Sequence, residues 1–279
     1  MATSSSNSFH ARSISLPTSS NPILRRVEEC LEAAKEWQAK PHSLTSTGLG
    51  HLKDLFCCID GFLQMAHTQQ ALCRKDTFVT QLMDDFLRLL DVCGMVKDSV
   101  QRMREEQQAL QSMFRRRDQN LDVGIGRYQC MRKSMRKDMI KCLQLLKTME
   151  ADGSSTNDSK VEKILRDVRA NTVATFEQLA SIISARNSLG SIFSKLRCSK
   201  KHDGGGAEGK TNEIERLDVI MFALCGHPNK ELAEDSVQYV KRLMENLESC
   251  LTGVEDELEG VFRSLITARA ALLNFLTCC

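Results

Sequence analysis

The sequence predicts an all-α protein: an elongated bundle of long antiparallel helices with coiled-coil-like heptad packing. Three observations predict it. Apolar residues make up 42% of the 279 positions, enough to bury a sizeable core. Aromatics are only 5% and prolines only four, while Leu, Met and Val are plentiful, a composition that favours helix over strand. Long segments carry apolar residues at alternating three- and four-residue steps, and none alternates with the period of a strand.

Taken in order, residues 1–21 form a Ser-rich tail and residues 22–279 a single helical bundle, with flexible loops near 150–159 and 198–212. Eight of the first twenty residues are serine, and the first acid is Glu28. This superficially resembles an organelle transit peptide, but it has no apolar face, and a disordered tail is the plainer reading. Asn21-Pro22 opens a first helix, proline being at home in a first turn. Ile23, Val27, Leu31 and Ala34 share one face, and the helix stops before Pro41. A second helix over about 48–66 gathers Leu52, Phe56, Ile59 and Leu63.

The third segment steps from Leu82 through Phe86, Leu89, Cys93, Val96, Val100, Met103, Gln107 and Leu110 to Phe114, with Gln107 the one polar member. Asp76 is placed to cap it, and at 1.5 Å per residue its run to Arg117 spans about 60 Å. "DVGIG" reads as a break before a fourth helix with Tyr128, Met131, Met135, Met139, Cys142, Leu146 and Met149 on one side. A fifth, over 158–197, is periodic but carries Thr172, Thr175 and Arg186 among its apolar positions. After the Gly- and Lys-rich stretch near 198–212, a short helix covers Glu213 to Leu224. The last segment, Val237 to Phe275, keeps the heptad spacing without one polar exception. Gly253 and Gly260 interrupt it at about 1 kcal/mol each unless close packing demands them.

Four stretches in chain order, "RSISLPTSSNP", "GLGHLKDLFCCIDGFLQMAHTQQ", "LLDVCGMVKDSVQRMREEQQALQSMFRRRD" and "YQCMRKSMRKDMIKCLQLLK", together resemble the plant-specific family related to the Bypass proteins. The resemblance implies an elongated helical protein associated with root and shoot development. It implies no enzymatic activity, cofactor or binding residue. The terminal Cys-Cys lies outside its pattern.

Chemistry-bearing motifs are sparse. Arg12-Ser13-Ile14-Ser15-Leu16-Pro17 is similar to the docking motif of 14-3-3 proteins: phosphorylated Ser15 would carry nearly two negative charges into an arginine-lined pocket, and Pro17 would turn the chain away. A serine-rich tail also produces such letters by chance. Between Arg115 and Lys147 ten basic residues face three acids, a net of +7, whereas residues 231–279 hold four basic and nine acidic residues, a net of −5. The two faces either neutralise each other or stay solvated. Alternatively Arg132, Lys133, Arg136 and Lys137 form a patch for anionic lipid headgroups. Nucleic acid is disfavoured, because no aromatics interleave the basic run.

Cys225-x-His227 supplies two ligands where a zinc site needs four, and "GIG" at 124–126 lacks a nucleotide-binding context. No cofactor, catalytic residue or small-molecule substrate is inferred. The twelve cysteines, singly placed or adjacent, in a chain without a secretory apolar region, read as reduced thiols in an intracellular, cytoplasmic protein, peripheral at a membrane in the alternative reading. No stretch approaches the roughly 18–20 apolar residues of a membrane span. Cys278 and Cys279 resemble the doubly prenylated end of Rab-type GTPases, but they follow a core-facing helix and fail the C-a-a-X pattern, so bare thiols are expected. The expectation is therefore a non-enzymatic adaptor with a phosphorylatable tail. The alternative is a peripheral membrane protein.

Overall fold

The computed structural model describes residues 21–39, 44, 46–73, 75–149, 159–184, 212–225 and 234–278. Every regular element among them is an α-helix: α1 Pro22–Gln38, α2 Thr47–Leu63, α3 Ala66–Leu72, α4 Asp76–Arg116, α5 Leu121–Met149, α6 Lys160–Ser184, α7 Glu213–Cys225 and α8 Glu234–Cys278. The all-α expectation holds. Arg12, Ser13, Ser15, Pro17, His227, Cys279, the side chain of Cys278 and the expected helix beyond Ser184 lie outside the described residues.

The central seam joins α4 to α8. All ten positions from Leu82 to Phe114 are buried, Gln107 included, and so are Val240, Met244, Leu247, Leu251, Val254, Leu258, Val261, Leu265, Ala268 and Leu272 opposite. The Gln107 amide nitrogen donates to the Met244 carbonyl at 2.8 Å, which offsets part of its desolvation cost, while its Oε1 is buried without a partner among the described residues. Toward the other end of the seam the Cys93 thiol donates to the Leu258 carbonyl at 3.6 Å. Residue numbers rise on one helix as they fall on the other, so the pair is antiparallel. The same holds for α1 on α2, where Ile23 meets Gly61 and Trp37 meets Gly48.

Two neighbouring pairs run parallel instead. Ser46 lies against Gly253 and Lys53 against Gly260, so α2 follows the direction of α8. A Cβ at Gly260 would stand 2.7 Å from Lys53 Cδ, so the glycine permits a close approach. On the other side α6 follows α4: Lys75 Nζ meets Glu162 at 3.2 Å, Arg166 sits over the Phe78 ring at 5.0 Å, and Arg169 pairs with buried Asp85 at 2.6 Å.

The helix ends explain where the expected boundaries shift. Asp76 is the first helical residue of α4 and Lys75 occupies the cap position, so the acid favours the helix through its N-terminal charge and makes no capping bond. α4 ends with Arg117 in the left-handed region, φ 51°, and the turn closes with Asn120 N–H donating to Asp118 Oδ1 at 2.9 Å. The break therefore precedes "DVGIG", and Gly124 and Gly126 lie inside α5. Gly124 lets α5 leave the turn hard against α4: a Cβ there would stand 2.5 Å from Met113 Sδ. The expected second helix ends at Leu63 as α2, and a further short helix, α3, follows it where none was expected.

Two reciprocal caps start the later helices. Glu162 N–H donates to Ser159 Oγ at 3.3 Å while Ser159 N–H donates to Glu162 Oε2 at 2.9 Å. Glu215 N–H donates to Asn212 Oδ1 at 2.8 Å and Asn212 N–H to Glu215 Oε2 at 3.3 Å.

Burial pushes the Cys93 thiol up to about 12 and the Cys142 thiol up to about 11, as for small core residues. Cys30, Cys57, Cys58, Cys93, Cys130, Cys142, Cys225 and Cys250 are free thiols. No helix among the described residues is long and apolar enough to cross a membrane.

Candidate functional site

Tyr128, Arg132 and Arg136 are spaced four residues apart on α5, so they stack on one helix face. That face meets α7, and all three converge on one carboxylate, Asp218. Tyr128 Oη donates to Asp218 Oδ1 at 2.9 Å. Arg132 Nε donates to Oδ1 at 2.9 Å and its Nη2 to Oδ2 at 2.9 Å, a two-pronged geometry suited to a planar guanidinium. Arg136 Nη2 donates to Oδ2 at 2.7 Å. The third arm of Arg132, Nη1, donates to the Ile183 carbonyl of α6 at 3.0 Å. One side chain thereby ties three helices.

The node is enclosed. The Arg132 side chain is 2% exposed and that of Asp218 14%. Burial works against the charge of Arg132, but the hydrogen bond and charge of Asp218 outweigh it and the guanidinium titrates above its ordinary value. Burial, and next the Asp218 charge, lift the Tyr128 phenol well above its ordinary 10. It is a neutral donor at every physiological pH. A carboxylate offers about four lone-pair sites, and four donors occupy them here, so Asp218 has no acceptor left for a ligand.

The structure divides the expected basic patch. Arg132 is buried and Arg136 is three-quarters covered, both on Asp218, while Lys133 and Lys137 are exposed. Residues one apart on a helix cannot share a face, so the four basic residues form one inward pair and one outward pair. Among the described residues only Arg115 of the basic run is seen to meet the acidic C-terminal segment, and the other paired acids of that segment take basic partners from outside the run. Arg104 pairs with Glu255 at 3.0 Å, Lys53 with Glu257 at 2.6 Å, Lys97 with Glu259, and Arg115 with Glu245 at 3.7 Å. Arg102 meets Asp138 at 2.8 Å and Arg127 meets Glu106 at 2.7 Å.

Cys225 is exposed, its thiol 3.9 Å from Gln129 Oε1, and no group of three metal-ligating side chains occurs among the described residues. α8 continues through Cys278, with Leu272 buried and Phe275 and Leu276 packed on the core, whereas Leu273 is 46% exposed.

Sequence reasoning missed Asp218 and the role of Arg132. From Tyr128 a step of three reaches Met131 and a step of four reaches Arg132, and both rejoin the stripe at Met135. Apolarity selects Met131, yet Arg132 is the buried one. The signal that could have found it is the Tyr-x-x-x-Arg-x-x-x-Arg spacing on the core-facing side, which requires an acid opposite.

The family model for Protein BPS1 matches residues 48–275. It takes in the whole of α4 to α7 and leaves out the N-terminal tail, α1 and the terminal Cys-Cys. Neither the curated proteins nor the solved structures gave a significant match to the chain.

Proposed function

The chain belongs to the Protein BPS1 family, a membership that links it to plant development, and from it we propose a non-enzymatic adaptor or regulatory protein acting in root and shoot development through protein partners. One observation carries the reading: an enclosed polar cluster of the bundle is spent internally, four donors filling the one carboxylate of Asp218. Such a node braces helices and gives a rigid body on which binding segments are displayed. The segment with the chemistry to bind is the tail, where phosphorylated Ser15, set by Arg12 and Ser13 and followed by Pro17, suits a 14-3-3 pocket. The test is a pull-down from plant extract with and without phosphatase treatment. A phosphatase-sensitive partner lost in Ser15→Ala and Pro17→Ala supports it. Equal binding of phosphorylated and unphosphorylated tail peptides to 14-3-3 protein ends the tail assignment.

A second reading rests on the outward face of α5. Lys133 and Lys137 are exposed there beside Ile140, which is 51% exposed, a basic and apolar combination suited to anionic lipid headgroups. Lys133→Glu with Lys137→Glu should then abolish co-sedimentation with anionic vesicles at low salt. A native protein that ignores such vesicles removes this reading.

A further inference from the structure

Helices α1 and α2 bring two thiols together that are 28 positions apart in the chain: Cys30 Sγ lies 3.9 Å from Cys58 Sγ. Both residues are partly buried. A cleft of about 310 Å³ opens beside them, lined by Pro22, Ile23, Arg26, Cys57, Cys58 and Gly61. Cys57 and Cys58 border this cleft and Cys30 does not, so of the close pair Cys58 is the sulfur an oxidant entering it meets. Arg26 lines the same cleft as Cys58. It supplies a counter-charge to a sulfur that must react as its anion. Burial, then the neighbouring Cys58, push the Cys30 thiol up, so it remains protonated until it is attacked or attacks.

We propose that Cys30 and Cys58 form an oxidisable dithiol that takes a peroxide as its substrate and closes to a reversible covalent staple between α1 and α2. The balance is simple. The Cys58 thiolate attacks one oxygen of hydrogen peroxide, the O–O bond breaks, and hydroxide leaves with the proton that Cys58 gave up, as water. This yields a sulfenic acid. Cys30 sulfur then attacks the Cys58 sulfur, the S–O bond breaks, and a second water carries off the Cys30 proton. Two thiols are oxidised by two electrons, which reduce one peroxide to two waters, and a dithiol reductant reverses the change. The sulfurs must close from 3.9 Å to about 2 Å, a movement within the reach of side-chain rotation and a small helix shift. The staple would act at the root of the tail, because α1 begins at Pro22. Cys57, exposed on the neighbouring position, is the natural competitor.

Full-length protein is reduced, treated with stoichiometric hydrogen peroxide, alkylated and mapped by peptide mass spectrometry without reductant. The expected product is a Cys30–Cys58 linked peptide lacking two hydrogens, formed equally in Cys57→Ser and reversed by dithiothreitol. Cys30→Ser should stop at a Cys58 sulfenic acid captured by dimedone, and Cys58→Ser should leave Cys30 as a thiol. Two results overturn the proposal: oxidation of Cys130 or Cys225 while Cys30 and Cys58 remain reduced, or a wild-type linkage from Cys58 to Cys57 or to a second chain. Circular dichroism of each variant keeps these outcomes separate from misfolding. A variant without helical signal is replaced by the corresponding alanine, for which the same products are expected.

Discussion

The α4–α8 seam and the α5–α7 seam hold the same bundle together by opposite means. The first buries a continuous apolar stripe from each helix and puts its ion pairs at the margin, where Arg115 and Glu245 are 59% and 58% exposed. The second puts the charge inside and closes Arg132 over Asp218. An apolar seam is stabilised by area and tolerates conservative change. A buried charged seam is stable only while complete, because removal of one partner strands the other in a poor solvent for ions. The comparison teaches that the less regular half of the bundle depends on charge completeness where the regular seam depends on apolar area.

The largest effect is expected where the apolar seam is given a charge. Leu251→Asp or Leu258→Asp, both fully buried, should cost at least about 4 kcal/mol or prevent folding, read by urea unfolding. Melting close to wild type would mean that these positions face a partner helix in a dimer. Next is the polar seam: Asp218→Ala should cost about 3–5 kcal/mol, because it uncovers two guanidinium groups at once. A loss under about 1 kcal/mol would show that water already reaches the node.

A smaller, pH-dependent effect belongs to α6. Burial favours the neutral acid of Glu162, but the Ser159 hydrogen bonds and Lys75 outweigh it and hold the carboxyl below its usual 4.5. A carboxyl lowered on folding adds stability above its unfolded value and loses it as pH falls through the folded one. Stability should therefore decline as acid is added below 4.5, and Glu162→Gln should remove about 1 kcal/mol near neutrality and flatten that slope. A slope unchanged by the substitution would assign the acid response elsewhere. Smallest is the margin of the apolar seam: Arg115→Ala should change stability by less than about 0.5 kcal/mol, since an exposed pair is screened.

How much was legible in the sequence follows the same division. The stripes of α4 and α8 were readable because one helix period, repeated over ten or more positions, leaves one solution. Even buried Gln107 kept its register. The α5 stripe was readable up to the choice between Met131 and Arg132, which apolarity decides wrongly whenever a charge is buried with its partner. Asp218 was invisible, since its meaning depends on a helix more than eighty residues away. The turn before α5 was placed too late because Gly124 suggests a break, whereas here it serves a close helix approach. The division between α2 and α3 carries no Gly or Pro at all. Of the candidate site residues, Lys133 and Lys137 face outward as a surface patch requires, and Arg132 and Arg136 serve the interior. The Arg12 to Pro17 motif and Cys279 fall outside the described residues.

The measurement that bears most directly on the node as framework is a double-mutant cycle over Arg132→Met and Asp218→Leu, with urea unfolding and partner pull-down on each protein. Each single variant should lose about 3–5 kcal/mol and the double variant should lose less than the sum of the two, recovering the Arg132 part while Arg136 and Tyr128 still lack Asp218, with partner capture per folded molecule unchanged throughout. Single variants as stable as the wild type but unable to capture the partner would contradict the account, since they would make Arg132 and Asp218 binding groups.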